Sequence, residues 1–259
     1  MRRHQINANQ IIQAMYEGEP LVFGHRGARA YAPMNTLPAF ELAAEQGAHG
    51  IELDVHRSRD GFPVILHDFE IDATTDGSGR IVEKTLAELK ALDAGSWYDT
   101  RFAGVRIPTL DEVFEAVGRR LFVNVEIKSI SEQTDGVEQV VADCIHRHGM
   151  EQRVIVSSFN PLALMRFRQI MPDVPIGFLY AVADDLLVRA AMNDSAFTYE
   201  AFHPYYQDID AQVVAEHKQH GRILNTWTVN DPQRAVDLVT LGVSGIITDN
   251  PDTILAALK

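Results

Sequence analysis

The stretch LVFGHRGARAYAPMNTLPAFELAAEQGAHGIELDV, residues 21–55, carries two periodicities in one span. LVFGH (21–25) is an apolar run of strand length. In TLPAFELAAEQG (36–47), Leu37, Phe40, Leu42, Ala43 and Ala44 are apolar, Pro38 stands in the first turn and Gly47 at the C′ position, so the spacing predicts a helix. IELDV (51–55) reads as a second strand. A strand, a helix and a strand in succession make a βαβ unit, which predicts parallel pairing.

Working outward, Asp60-Gly61 is a hairpin signal between IELDV and a second strand-like run, PVILH (63–67). The stretch 68–108 breaks the rhythm. It holds TTDGSG, a short helix near 85–92 with a capping box of Thr85 and Glu88, and the loop SWYDTRFAGVRIP. Thr109 and Glu112 then form a second capping box opening a helix at 110–118. LFVNVEIK (121–128) is a strand, 135–148 a helix, and RVIVSSF (153–159) a strand followed by Asn160-Pro161 as N-cap and N1. IGFLY (176–180), TYEAFHP (198–204), ILNTWTV (223–229) and SGIIT (244–248) complete the strands, with Asp231-Pro232 starting the helix between the last two. Leaving the hairpin strand aside, the strands centre on 22, 53, 124, 155, 178, 201, 226 and 246. Eight strands separated by helices in 259 residues predict a closed α/β barrel, the (β/α)8 TIM barrel, whose usual length is about 250 residues. A doubly wound open sheet is the alternative. The expected organisation is one domain over 1–259 with an insertion at about 68–108.

With 23 basic and 36 acidic residues the net charge is −13, which disfavours nucleic acid and anionic membranes as partners. An anionic substrate would then need a local cluster of Arg, Lys or metal. No apolar run approaches the roughly 20 residues that span a bilayer. The start, MRRHQINANQ, has no apolar stretch after its arginines and does not read as a secretory signal, and the C-terminus has no lipidation motif. No stable membrane association is expected. Cys144 is the only cysteine, so no intramolecular disulfide can form, which fits a cytoplasmic location. It lies in GVEQVVADCIHRHG (136–149), a helical stretch, and reads there as a small buried apolar residue.

Active sites of such barrels lie at the C-terminal ends of the strands. Polar residues collect at those ends: His25-Arg26-Gly27 on the first strand, Glu52 and Asp54 on the second, Asn124, Glu126 and Lys128 on the third, Asn225, Trp227 and Asn230 at the seventh, and Thr248-Asp249-Asn250 on the eighth. Residues two apart on a strand share a face, so Glu52 and Asp54 project together with Leu53 and Val55 opposite; Glu126 and Lys128 do likewise, with Val125 and Ile127 opposite. If the apolar set faces the helices, three carboxylates meet near the barrel mouth. Unpaired and ionised they would repel one another and resist desolvation. One divalent cation resolves this, and all-oxygen ligation points to a hard ion: Mg²⁺ or Ca²⁺, with Mn²⁺ also compatible. The alternative is that the acids simply pair with Arg26 and Lys128. His25 and His67 stand at strand ends beside them and can divide acid and base work. Arg26 and Lys128 can hold an anion. Three carboxylates at about −3, a metal at about +2 and two cations at about +2 leave about +1, which a phosphodiester monoanion neutralises.

Two patterns read as decoys. Asp72, Thr74, Asp76, Gly77 and Glu83 fall at calcium-loop positions, but no helix precedes them. His146 and His148, two apart on a helix, cannot share a face and are expected to be solvent-exposed.

HRGARAYAPMNTLPAF, IELDVHRSRDGFPVILHD, TTDGSG, IPTLDEV, NVEIKS, VSSFN, NTWTVN and GIITDNPD, in that order over about 21–252, resemble the successive motifs of the glycerophosphodiester phosphodiesterases. The resemblance implies a barrel with a small insertion after the second strand. It also implies roles: Glu52, Asp54 and Glu126 as metal ligands, His25 and His67 as the acid/base pair, Arg26 and Lys128 against phosphate, and Trp227 lining the substrate site. The implied partner is a small-molecule glycerophosphodiester, cleaved to glycerol 3-phosphate and an alcohol. Alternatives on the same barrel are a lysophospholipase D-like activity or a catalytically silent phosphate-ester binding protein. Two positions depart from the family pattern. Met34 stands where the family has Glu, so a carboxylate near the first histidine is missing and Met34 is not expected to replace it as a hydrogen-bond acceptor; Ala73 stands where the family has Arg.

Overall fold

The structure is a computed structural model and describes residues 6–18, 20–181 and 197–259. The first five residues of the opening segment and the alternation expected just after residue 181 lie outside the described residues.

Strands β1 (Leu21–His25), β2 (Gly50–Arg57), β4 (Phe122–Ile127), β5 (Val154–Ser158), β6 (Ile176–Tyr180), β7 (Ala201–Pro204), β8 (Ile223–Thr226) and β9 (Gly245–Thr248) pair in parallel, and β1–β2 pairing closes the ring. The result is an eight-stranded parallel barrel, not an open sheet. The hairpin strand β3 (Pro63–Ile65) runs antiparallel to the far end of β2, with Val55 opposite Ile65.

Helices α2 (Leu37–Glu45), α4 (Leu110–Val117), α5 (Val137–His148), α6 (Pro161–Ile170), α7 (Ala211–Gln219), α8 (Pro232–Leu241) and α9 (Pro251–Ala257) cover the outside, while α1 (Ala8–Met15) precedes β1. Local chemistry sets their starts: Thr109 and Glu112 cap α4 reciprocally, Asn160 accepts from the Leu162 amide, and Asp231 accepts from the Arg234 amide. The alternation of β2 and β4 sorts their side chains as expected. Leu53, Val55, Val125 and Ile127 join Phe40, Val113, Phe114, Val141 and Ile145 in the largest apolar cluster, between sheet and helices. On the inner side, Ile12 and Met15 of α1 pack with Leu21, Phe23, Ile155, Ala201, Ile223 and Ile247, which fill the barrel interior between α1 and the functional residues.

Between β3 and α4 the chain forms short turns and α3 (Leu86–Lys90), with its capping box of Thr85 and Glu88. This stretch has its own apolar cluster of Val64, Leu66, Ile71, Ile81, Leu89, Ala94 and Ile107. The calcium-loop pattern is used otherwise: Asp72 accepts from the Gly79 amide and Asp76 from the Asp93 amide.

Two expectations shift. β8 ends at Thr226, so Trp227 lies just past it, where the Val229 amide turns to bond the Ile247 carbonyl. His148 is not solvent-exposed: its ring packs edge-on to Phe114 and its Nε2 lies 2.8 Å from Asp111 Oδ1, because α5 presses that face against α4. No described helix is long and apolar enough to cross a membrane.

Candidate active site

The turn after β1 sets the site. Arg26 adopts φ 55° and Gly27 φ 84°, both left-handed. At Gly27 a Cβ would meet the Ala39 backbone at 2.6 Å, so only glycine fits that close approach. The unusual Arg26 conformation has a visible use: its amide donates to Glu52 Oε2 at 3.0 Å and its Nε lies 3.2 Å from Asp54 Oδ2. Asn35, also left-handed at φ 58°, donates from Nδ2 to Asp54 Oδ2 at 2.8 Å.

Glu52, Asp54 and Glu126 are buried, and their carboxylates bring oxygens within 4.8 Å of one another. Parallel register explains it, since Asp54 on β2 faces Glu126 on β4. Lys128 Nζ donates to Glu126 Oε1 at 2.8 Å and lies 3.3 Å from Asp54 Oδ1. The four groups share charge unevenly. Burial pushes Asp54 up, but Lys128 and Arg26 outweigh it and hold its carboxyl well below the usual range. Burial, then the Asp54 and Glu126 charges, push Glu52 well up; burial and Asp54 push Glu126 up to about 7. The two cations therefore hold Asp54 ionised and leave the charges of Glu52 and Glu126 disfavoured. Asp54 Oδ1, buried and in ion-pair range of Lys128, has no hydrogen-bond partner of its own. A close, all-oxygen, under-neutralised trio of this kind fits a hard divalent cation.

His25 Nδ1 lies 2.7 Å from Asp249 Oδ1, and Asp249 Oδ2 in turn accepts from Asn230 Nδ2 at 2.8 Å. With its Nδ1–H donated to Asp249, His25 keeps Nε2 toward the acids, 4.0 Å from Glu52 Oε2. His67 stands two residues past β3, its Nδ1 2.6 Å from Asp68 Oδ1 and its carbonyl 3.2 Å from His56 Nε2. Burial lowers the pKa of both His25 and His67, with Asp249 and Asp54 respectively opposing it.

These residues open onto a cavity of about 260 Å³ lined by the polar His25, Arg26, Glu52, His67, Glu126 and Lys128 together with Phe159, Leu179, Trp227, Thr228 and Ile247. Trp227 is anchored by its indole N–H to the His203 carbonyl at 2.9 Å and meets Phe159 edge-on at 5.5 Å. All eight residues singled out from the sequence thus gather at one barrel mouth. Sequence reading gave no role to Asp249, Asn35, His56 or Phe159. Asp249 was visible as a polar strand end; the other three had no distinguishing signal.

Met34 corrects one expectation. Its sulfur, a weak acceptor, lies 3.2 Å from Arg26 Nη1, so the position still contacts the arginine without a carboxylate. Met34→Glu therefore adds a charge beside Arg26 and is expected to change kcat/KM by no more than about 10–100-fold, the scale of residues that orient direct ligands. A Met34→Glu variant whose kcat/KM differs from wild type by well over about 100-fold would contradict this.

The sequence model of the glycerophosphoryl diester phosphodiesterase family matches residues 25–253. A glycerophosphodiester phosphodiesterase of Caldanaerobacter subterraneus is 41% identical over 240 residues, covering 92% of this chain and 98% of that protein. Among solved structures, an Oleispira antarctica phosphodiesterase in complex with the product sn-glycerol-3-phosphate superposes with a TM-score of 0.85 at 31% identity, over 94% of this chain and 98% of its own. The glycerophosphodiester phosphodiesterase of Agrobacterium tumefaciens superposes with a TM-score of 0.78 at 28% identity, over 92% and 99%.

Proposed function

This chain belongs to the glycerophosphoryl diester phosphodiesterase family, and from that premise we propose that it hydrolyses glycerophosphodiesters to glycerol 3-phosphate and an alcohol at the barrel mouth. The observation that carries the assignment to this site is that Glu52, Glu126, two imidazoles and two cations line one cavity, with buried Asp54 directly behind them against Arg26 and Lys128.

Glu52, Asp54 and Glu126 would hold the divalent cation, Mg²⁺ or Ca²⁺, with Mn²⁺ compatible. Bound there, the ion would act as a Lewis acid toward the phosphoryl oxygens. Arg26 and Lys128 bind the phosphate and stabilise the charge that grows on it. One of His25 and His67 accepts the proton of the attacking hydroxyl; the other protonates the leaving alkoxide. The attacking group is the substrate's own 2-hydroxyl, which gives a cyclic phosphate. A water then opens the ring, and the two imidazoles exchange roles and return to their starting states. Trp227, Phe159 and Leu179 cover the rest of the substrate and limit water. A cavity of about 260 Å³ suits a small head group, and a long acyl chain would lie outside it.

His25→Ala and His67→Ala are each expected to lower kcat by at least about 10²-fold, the usual contribution of a positioned acid or base. Cation affinity should stay near wild type. Steady-state rates on glycerophosphocholine and on lysophosphatidylcholine test the reading. Near-normal turnover in either variant removes that histidine from the mechanism. A wild-type preference for the lysophospholipid would replace the substrate class.

A further inference from the structure

We propose that Asp111, Cys144 and His148 form a second cation site, on the outer helical wall between α4 and α5, for a borderline-soft divalent ion such as Zn²⁺. Cys144 and His148 are four residues apart on α5 and share a face; Asp111 reaches them from the first turn of α4. One donor atom of each, a thiol sulfur, an imidazole nitrogen and a carboxylate oxygen, lies within 4.8 Å of the other two. His148 Nε2 is already 2.8 Å from Asp111 Oδ1, and Phe114 holds the ring edge-on at 5.7 Å between centroids.

The donor set chooses the ion. Sulfur with nitrogen and oxygen favours Zn²⁺ over Mg²⁺ or Ca²⁺, the reverse of the all-oxygen trio at the mouth. With Zn–N and Zn–O near 2.0–2.1 Å and Zn–S near 2.3 Å, tetrahedral ligand atoms sit roughly 3.3–3.7 Å apart, a rotamer-scale adjustment from the arrangement present. Cys144 is wholly buried, so its sulfur is fixed in place and shielded from bulk solvent.

Arg147 competes. Its Nε and Nη2 donate to Asp111 Oδ1 at 2.9 and 2.7 Å. The Arg147 side chain is 55% exposed, so it can swing into water when the cation replaces it. On loading, the Cys144 thiol releases its proton to solvent and the sulfur binds as thiolate. Burial pushes the thiol pKa up, which keeps the unloaded cysteine unreactive. The loaded site would tie α4 to α5.

The test is Co²⁺ titration of tag-free, metal-stripped full-length protein, read by the near-ultraviolet thiolate-to-cobalt charge-transfer band. Wild type is expected to develop the band, Zn²⁺ to erase it and Mg²⁺ to leave it. His148→Ala and Asp111→Asn should each weaken Co²⁺ binding by at least about tenfold, the low end for disturbing a metal site. Glu126→Gln should leave the band unchanged. Arg147→Gln, at an exposed position, should strengthen binding and serves if the other variants fold poorly. No band in wild type, or a band indifferent to His148→Ala, Asp111→Asn and Arg147→Gln alike, overturns the proposal.

Discussion

Glycerophosphocholine is expected to be cleaved at least about 10³-fold better, in kcat/KM, than its 2-deoxy analogue, because an oriented intramolecular nucleophile can reach effective molarities of about 10⁵ M or more. The reason lies in the shape of the site. On the proposed reading Arg26 and Lys128 would hold the phosphate beside the cation, and both histidines line the same cavity. A hydroxyl on the carbon next to the phosphoester oxygen is then held close to phosphorus without a separate binding step. Water attacking in its place can recover part of the loss, which is why the expected ratio is far below the full advantage. Equal rates on the two substrates would exclude the cyclic route while leaving phosphodiester hydrolysis standing.

Removal of the divalent cation is expected to lower kcat/KM by at least about 10³-fold, since metal stabilisation of a phosphoryl transition state is worth several kcal/mol and each 1.36 kcal/mol is tenfold. Adding back Mg²⁺, Ca²⁺ or Mn²⁺ should restore it. Glu126→Gln should require a higher cation concentration for the same rate. The unloaded trio supports this sign: Glu52 and Glu126 both have raised pKa values because burial and neighbouring carboxylates disfavour their charge. Those two groups are protonated more readily without the ion, so cation binding should tighten as pH rises through about 7, where Glu126 loses its proton. Full activity in a chelated, verified metal-free sample would contradict the account.

The barrel was legible because it rests on periodicity. Leu53 and Val55 against Glu52 and Asp54, and Val125 and Ile127 against Glu126 and Lys128, show in one dimension which face meets the helices and which faces the axis. The convergence of charged positions followed from the same alternation once the ring closed. What escaped the sequence depends on turns. Asn35 reaches Asp54 only because the chain at Arg26 and Asn35 turns through left-handed conformations. Asp249 meets His25 because β9 is the neighbour of β1, a closure contact across 224 residues of chain. His148 was misread for a related reason: helical spacing shows which residues share a face, but not that this part of α5 lies against Asp111 and Phe114.

The most direct test of the central claim is phosphorus NMR of glycerophosphocholine incubated with the cation-loaded protein. The account predicts a glycerol 3-phosphate signal, with a cyclic glycerophosphate signal appearing before it, and both lost together in His25→Ala. Phosphocholine as the phosphorus-bearing product, or no turnover of any glycerophosphodiester, would contradict it.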